Sequence, residues 1–361
     1  IATVTHAVLE SISAQALRAG ADYVPAISAG VALAEGDPTS AEQLLVNAHS
    51  AADLASDPRS CAFYSPLPQA QLRRRLLIES SLRGAVERRE LQLVYQPRVS
   101  IDTFELTGVE CLVRWDHPQF GAIRREEFTA IAEEAGIIDE IGRWILEEAC
   151  RTLVGWHERY EQNFFASTRL SGRQLRDPRL VTMIQTAIER HRLPADTLQI
   201  ELSEASIIDA PDAAHAVLAD LRKRGVRIGI DDFGTGHSSL GQMRRVPFNS
   251  MKLDRALMAD LYTDPWAQGV TAAVLAMARA MQIRSVADGI DEAGTVEMLR
   301  ALGCDEIQGQ HVSPPLKARD FEDWLERGGA RHLARQRVED LGSALDLPEA
   351  AVDDIMKWAN G

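Results

Sequence analysis

From Leu91 onward, short apolar runs alternate with amphipathic ones. Strand-like runs occupy Leu91–Tyr95, Glu105–Trp115, Phe164–Leu170, Leu198–Leu202, Val226–Asp231, Ser250–Leu253, Arg284–Ala287 and Glu306–Ile307. Between them, apolar side chains recur at helical spacing in segments such as Glu126–Ala135, Gly142–Trp156, Arg179–His191, Ala213–Arg224, Val270–Met281 and Glu292–Leu302. Strands alternating with helices predict an α/β fold on a parallel sheet. Eight strand candidates over about 240 residues suit a (β/α)8 barrel of the TIM type. A doubly wound open sheet is the alternative. Its nucleotide-binding version is weakened because no Gly-x-Gly-x-x-Gly turn follows the first strand.

The pattern upstream differs. Residues 1–64 read as a small α/β fragment: a helix over Ala2–Arg18, a strand within Val24–Leu33, a helix over Ala41–Ala55 and a last strand at Cys61–Tyr64. The basic, leucine-rich run Gln71–Arg88 predicts a connecting helix. The expected organisation is therefore a fragment over 1–64, a linker helix over 65–88, a barrel over 89–328 and a helical extension over 329–361. In that extension Pro348 suits a first helical residue, and Ala351, Val352, Ile355, Met356 and Ala359 share one face.

Composition narrows the classes. A net charge of −14 argues against DNA or RNA polymers as partners, which need a basic face, but leaves room for a small anion held by local arginines. Cys61, Cys111, Cys150 and Cys304 are scattered without disulfide spacing, which points to a reducing cytoplasm. The longest apolar stretch, Gly269–Ala278, is interrupted by Arg279 and is too short to span a bilayer. The chain opens at Ile1 without Met, as a piece of a longer protein would, and a membrane anchor upstream is compatible with that.

The chemistry concentrates where the strands end. Asp231 and Asp232 close an apolar run and lead at once into Gly/Thr/Ser-rich residues up to Leu240. Glu110 lies in the second strand, Arg169 ends the third and Glu201 the fourth. Lys252 and Asp254 end the sixth, Asp288 follows the seventh, and Gln308 the eighth. In a barrel these positions meet at one mouth. Converging carboxylates repel unless a cation neutralises them, so the set suits a divalent metal and a phosphate ester. Lys252 would offset developing charge, and Arg114 would offer a phosphate a bidentate fork.

These residues carry a family pattern. The stretch from Leu91 to Leu325 resembles the EAL family of cyclic di-GMP phosphodiesterases and receptors. The matching pieces are Tyr95-Gln96-Pro97, Glu110-Cys111-Leu112-Val113-Arg114-Trp115, Glu127-Phe128 to Glu133 with Gly136, Leu170-Ser171 with Gln174-Leu175, and Glu201-Leu202-Ser203-Glu204. They continue with Asp231–Leu240, Lys252-Leu253-Asp254, Ala287-Asp288-Gly289-Ile290-Asp291, Gly303-Cys304-Asp305 and Gln308-Gly309. Residues 22–64 look like the closing part of a GGDEF domain, through Ser28–Ala32 and Ser40–Leu45, but the GGDEF motif itself is missing from the sequence, so no cyclase activity is expected. The resemblance implies two Mg2+ or Mn2+ ions in active members, which cut cyclic di-GMP to linear pGpG. It implies metal ligands at Glu110, Glu201, Asp231 and Asp232, and a ligand-binding set of Gln96, Leu112, Arg114, Asp254 and Gln308. It also implies catalytic roles for Lys252, Asp288 and Glu204, the last bracing the Asp231–Leu240 loop. A homodimer is expected from resemblance alone.

Two departures redirect the expectation. The family's Asn-Leu-Ser triplet, whose Asn is a metal ligand, reads Arg169-Leu170-Ser171. Ser171, Gln174 and Leu175 fix that register, so Asn163 does not substitute. A guanidinium cannot coordinate a metal and stays charged. At 4 Å and an effective dielectric near 20, two unit charges repel by about 4 kcal/mol, and a divalent ion doubles that. An inward Arg169 therefore replaces one cation, paired with Glu110 or Glu201. The second departure is Asp288 and Asp291 where the family has glutamates, each one methylene shorter. The expectation is a degenerate EAL domain that binds cyclic di-GMP with little or no hydrolysis and without need of a metal, and that acts on a downstream protein partner. The alternatives are an active Mg2+- or Mn2+-dependent phosphodiesterase and a nucleotide-free interaction module.

Overall fold

A computed structural model describes residues 11, 29–32, 41–53, 61–64, 66–160, 163–208, 211–234 and 246–344. The expected helices over Ala2–Arg18 and after Pro348, and the glycine-rich loop beyond Gly234, lie outside the described residues. The chain divides into two compact units, Ile1–Ser80 and Ser81–Gly361.

In the first unit, β1 (Ala29–Val31) and β2 (Cys61–Phe63) pair in parallel, with α1 (Ala41–Asp53) between them in sequence. The connecting helix α2 spans Pro66–Leu82, earlier than the Gln71–Arg88 expected, and the chain turns at Gly84, whose φ of 78° is open to glycine.

The second unit is a closed barrel. Its eight staves are β3 (Leu91–Ser100), β4 (Leu106–His117), β6 (Phe165–Arg169), β7 (Leu198–Ser203), β8 (Arg227–Phe233), β9 (Ser250–Leu253), β10 (Arg284–Ala287) and β11 (Glu306–Ile307). The short β5 (Gly121–Ile123) adds a hairpin to β4 outside the ring. Six of the staves, β6 to β11, have a parallel neighbour on each side or close onto β3. That first stave is the exception: β3 runs antiparallel to both β4 and β11. This corrects the all-parallel sheet expected from the sequence. The reason lies in the link, since only Ile101–Glu105 separate β3 from β4, and a parallel crossover needs about a dozen residues.

Helices wrap the ring: α3 (Arg125–Ala135), α4 (Ile138–Tyr160), α5 (Gly172–Leu175), α6 (Leu180–His191), α7 (Glu204–Ile208), α8 (Pro211–Lys223), α9 (Arg255–Ala259), α10 (Pro265–Ala280), α11 (Ala293–Leu302), α12 (Ala318–Glu326) and α13 (Arg331–Ala344). Helix α4 shows why. Its Ile141, Leu146, Ala149, Cys150, Leu153 and Trp156 recur at helical spacing and are buried against the staves. Trp156 packs edge-on to Tyr95 of β3 (4.7 Å between centroids) and against Phe321 of α12 (4.5 Å), and the Tyr95 hydroxyl donates to Thr152 Oγ1 at 3.1 Å. Burying each such side chain contributes about 1.5–3 kcal/mol. These contacts hold the reversed first stave in the ring.

Candidate active site at the barrel mouth

Strand periodicity puts alternate side chains inside the barrel. On β3 these are Gln92, Val94 and Gln96, and on β4 they are Glu110, Leu112, Arg114 and Asp116. All of them line a cavity of about 830 Å3. Gln96 faces Glu110 across the β3–β4 ladder, so the reversed stave still delivers its glutamine to the mouth. Arg169, Asp231, Asp232, Lys252, Asp254 and Asp288 line the same cavity from the ends of β6, β8, β9 and β10.

The floor of the cavity is an ionic lattice. Lys252 Nζ lies 2.8 Å from Glu110 Oε2, 2.8 Å from Glu201 Oε2 and 3.5 Å from Asp231 Oδ1. Arg98 Nη2 donates to Glu201 Oε1 at 2.6 Å, and Gln199 Nε2 donates to the same oxygen at 2.9 Å. Gln308 Nε2 donates to Glu110 Oε2 (2.6 Å) and to Gln96 Oε1 (3.1 Å). Two glycines make the space. A Cβ on Gly229 would meet Gln199 and Ser250 side chains at 2.9 Å, and one on Gly309 would meet the Ile290 backbone nitrogen at 2.2 Å. Burial works against the Glu201 carboxylate, but the Lys252 and Arg98 charges outweigh it and hold it well below the ordinary carboxylate range. Burial likewise opposes the Lys252 ammonium, and Asp231, Glu110 and Glu201 raise it above its ordinary value.

The rim is organised by Arg169. Its Nε donates to Asp231 Oδ2 at 2.8 Å, its Nη2 bonds the same oxygen, and Nη2 also donates to Asp232 Oδ1 at 2.8 Å. The expected pairing with Glu110 or Glu201 is thus corrected to one with Asp231 and Asp232. Glu110 and Glu201 are already held by Lys252, Gln308 and Arg98. Successive strand residues should point to opposite faces, yet both aspartates reach one guanidinium. The register of β8 shifts between Ile230 and Phe233, and Asp232 takes a left-handed φ of 54°, which turns its carboxylate back to the mouth.

The other expected residues divide. Leu112 and Arg114 line the cavity, Arg114 exposed on its wall. Asp254 lines it too, and its carboxylate caps α9 by accepting from Ala256 N at 2.7 Å. Burial pushes the Asp288 carboxyl up to about 6, although Lys252 pulls the other way. Glu204 is buried at 4% exposure, and neither of its carboxylate oxygens has a partner among the described residues. Of the Asp231–Leu240 loop it was expected to brace, the part after Gly234 lies outside the described residues. Arg98 and Gln199 are lattice members that the sequence reading passed over. Period-2 alternation carried on from Gln96 and back from Glu201 finds both.

Glu110, Glu201 and Asp231 each offer a carboxylate oxygen within 4.8 Å of the others, a hard-donor set that suits a divalent cation once the Lys252 ammonium, which contacts all three, gives way. The Asp231–Asp232 pair does not offer a second such place, because Arg169 stands on it. No helix among the described residues is long and apolar enough to cross a membrane.

Comparison with known proteins agrees with the fold. The EAL domain family model matches residues 79–315. The chain is 35% identical over 293 residues to the bifunctional diguanylate cyclase/cyclic di-GMP phosphodiesterase MucR of Pseudomonas aeruginosa, covering 81% of this chain and 43% of that protein. It is 34% identical over 280 residues to the cyclic di-GMP phosphodiesterase PA2567 of the same organism, covering 77% and 48%. The chain thus spans less than half the length of these relatives. Among solved structures, the PaMucR phosphodiesterase in complex with c-di-GMP superposes with a TM-score of 0.66 at 36% identity, over 68% of this chain and 99% of that one.

Proposed function

Because this chain belongs to the EAL domain family, we propose that its barrel binds cyclic di-GMP and hydrolyses it little or not at all, acting as a receptor. The observation that carries the second half is the Arg169 guanidinium bonded to both Asp231 and Asp232. Support for binding comes from the c-di-GMP complex of the similar PaMucR barrel and from a cavity whose size suits a dinucleotide. Arg114 would fork onto a phosphate, Gln96 and Gln308 would meet a base edge, and Leu112 would give the base an apolar face.

Hydrolysis asks for more. Where Mg2+ or Mn2+ is bound, Glu110, Glu201 and Asp231 would hold it, and it supplies a Lewis acid for the phosphoryl oxygen. Lys252 is the chain's own group for charge developing at the phosphate, but three carboxylates already engage it. Asp288, one methylene shorter than glutamate, would have to orient the attacking water from further back. A misplacement of about 1 Å can lower a rate about 100-fold. A second reading, an active phosphodiesterase, is favoured by the intact trio Glu110, Glu201 and Asp231 with Lys252 beside it.

A receptor passes its signal on. We expect it to do so as a homodimer through a downstream protein partner. The experiment is incubation with equimolar cyclic di-GMP and excess Mn2+, followed by chromatography over hours. Intact nucleotide that co-elutes with the protein supports the receptor. Appearance of pGpG, abolished by Asp231→Asn, supports the enzyme. Intact nucleotide that does not co-elute leaves the barrel a nucleotide-free interaction module.

A further inference from the structure

We propose that Arg169 is itself a phosphate-binding residue, a fixed cation that makes cyclic dinucleotide binding independent of metal. The proposal rests on the receptor reading above and assigns its cation.

A cyclic dinucleotide brings phosphate anions to a mouth already lined with Glu110, Asp231, Asp232 and Asp288. Two unit charges of like sign at 4 Å repel by about 4 kcal/mol at an effective dielectric near 20. Some cation must therefore stand between phosphate and carboxylate. Arg98 and Lys252 do not serve. Arg98 is fully buried behind Glu201, and Lys252 is buried and shared among three carboxylates. Arg114, Arg124, Arg125, Arg255 and Lys317 line the same cavity, with Arg125 paired to Glu126 and Arg255 to Asp291, whereas Arg169 is bonded to the Asp231–Asp232 pair itself.

Arg169 has the required place and donors. It contacts Asp231 and Asp232 on one side, lines the cavity, and keeps 31% of its side chain exposed. Its Nε and Nη2 serve the two aspartates, while Nη1 has no hydrogen-bond partner among the described residues. A guanidinium bonded to carboxylates on one edge can still present its other edge to a phosphate. A guanidinium stays protonated at any working pH, so the cation is permanent. Here a positive charge beside the aspartates comes with the fold.

The test is equilibrium binding of cyclic di-GMP to the full chain in EDTA and in Mn2+, for the parent and for Arg169→Asn, with Tm measured for each. The parent is expected to bind equally in both buffers. Arg169→Asn is expected to lose about 10- to 100-fold in EDTA, the size of a charge-assisted contact, and to recover most of it in Mn2+. Arg169→Lys, which keeps the charge without the fork, should fall between. Should the Asn variant fail to fold, Arg169→Gln takes its place. If the substituted protein binds in EDTA as tightly as the parent, the assignment of Arg169 is overturned while the receptor reading stands. A parent that binds in neither buffer overturns both.

Discussion

The floor and the rim of the barrel mouth are built from the same residue types and behave differently. On the floor, Glu110, Glu201, Lys252 and Arg98 are all at most 4% exposed, and every charge has an opposite partner in contact. On the rim, Arg169 and Asp232 retain side-chain exposures of 31% and 38% while making an equally close pair. Ions sealed from water cannot exchange partners without leaving a bare buried charge, whereas a rim pair can open toward solvent. The floor therefore maintains the site, and the rim determines what the site does.

The largest effect expected from breaking this contrast lies on the floor. Lys252→Met leaves Glu110, Glu201 and Asp231 facing one another without their ammonium. It should destabilise the protein by about 3–5 kcal/mol, read from denaturant unfolding. A loss below about 1 kcal/mol would mean that the floor is hydrated and the contrast is false.

Arg169→Asn should cost less, about 1–2 kcal/mol, because Arg169 and Asp232 are partly exposed and the buried Asp231 keeps Lys252 as a partner. Its effect should appear in Mn2+ affinity, higher by at least about tenfold in calorimetry, since a repelling cation is replaced by an oxygen donor. Unchanged affinity would place Arg169 outside the metal's reach.

Asp254 tests the rim at smaller scale. Asp254→Ala removes the α9 cap and should cost about 1 kcal/mol. Asp254→Ser keeps a cap and should restore most of that, so any remaining loss of nucleotide affinity reports a ligand contact.

The smallest effect concerns Asp288, whose folded-state pKa of about 6 lies above the ordinary 3.8. The folded protein then holds a proton that the unfolded chain releases. That contribution is complete below about pH 4 and is lost as pH rises through about 6. Asp288→Asn should accordingly gain Tm relative to the parent as pH rises from about 4 to 7 in metal-free buffer. A difference flat across that range would show the Asp288 carboxylate to be well solvated.

Much of this was legible in the chain, and the misses share a cause. All eight staves could be read from alternating apolar runs, because each is bounded by polar or glycine residues. The acids at the strand ends then identified the mouth through barrel geometry alone. Direction and partnership were harder to read. The reversed β3 was missed because the first run was ended at Tyr95 rather than Ser100, which hid how short the link to β4 is. The acids on the two staves flanking β6 are Glu110 and Glu201, the partners expected for Arg169. The β8 register shift and the left-handed Asp232 redirect them, and neither leaves a clear trace in sequence. Arg98 was legible in principle, since it continues the inward face of β3, but an arginine after Pro97 reads more readily as surface.

The most direct test of the account is anomalous diffraction from crystals of the full chain grown in Mn2+. The account predicts no manganese peak within coordination distance of both Asp231 and Asp232, with Arg169 still bonded to the two carboxylates. A peak bridging those aspartates, with Arg169 swung clear, would contradict it and return the barrel to the phosphodiesterases.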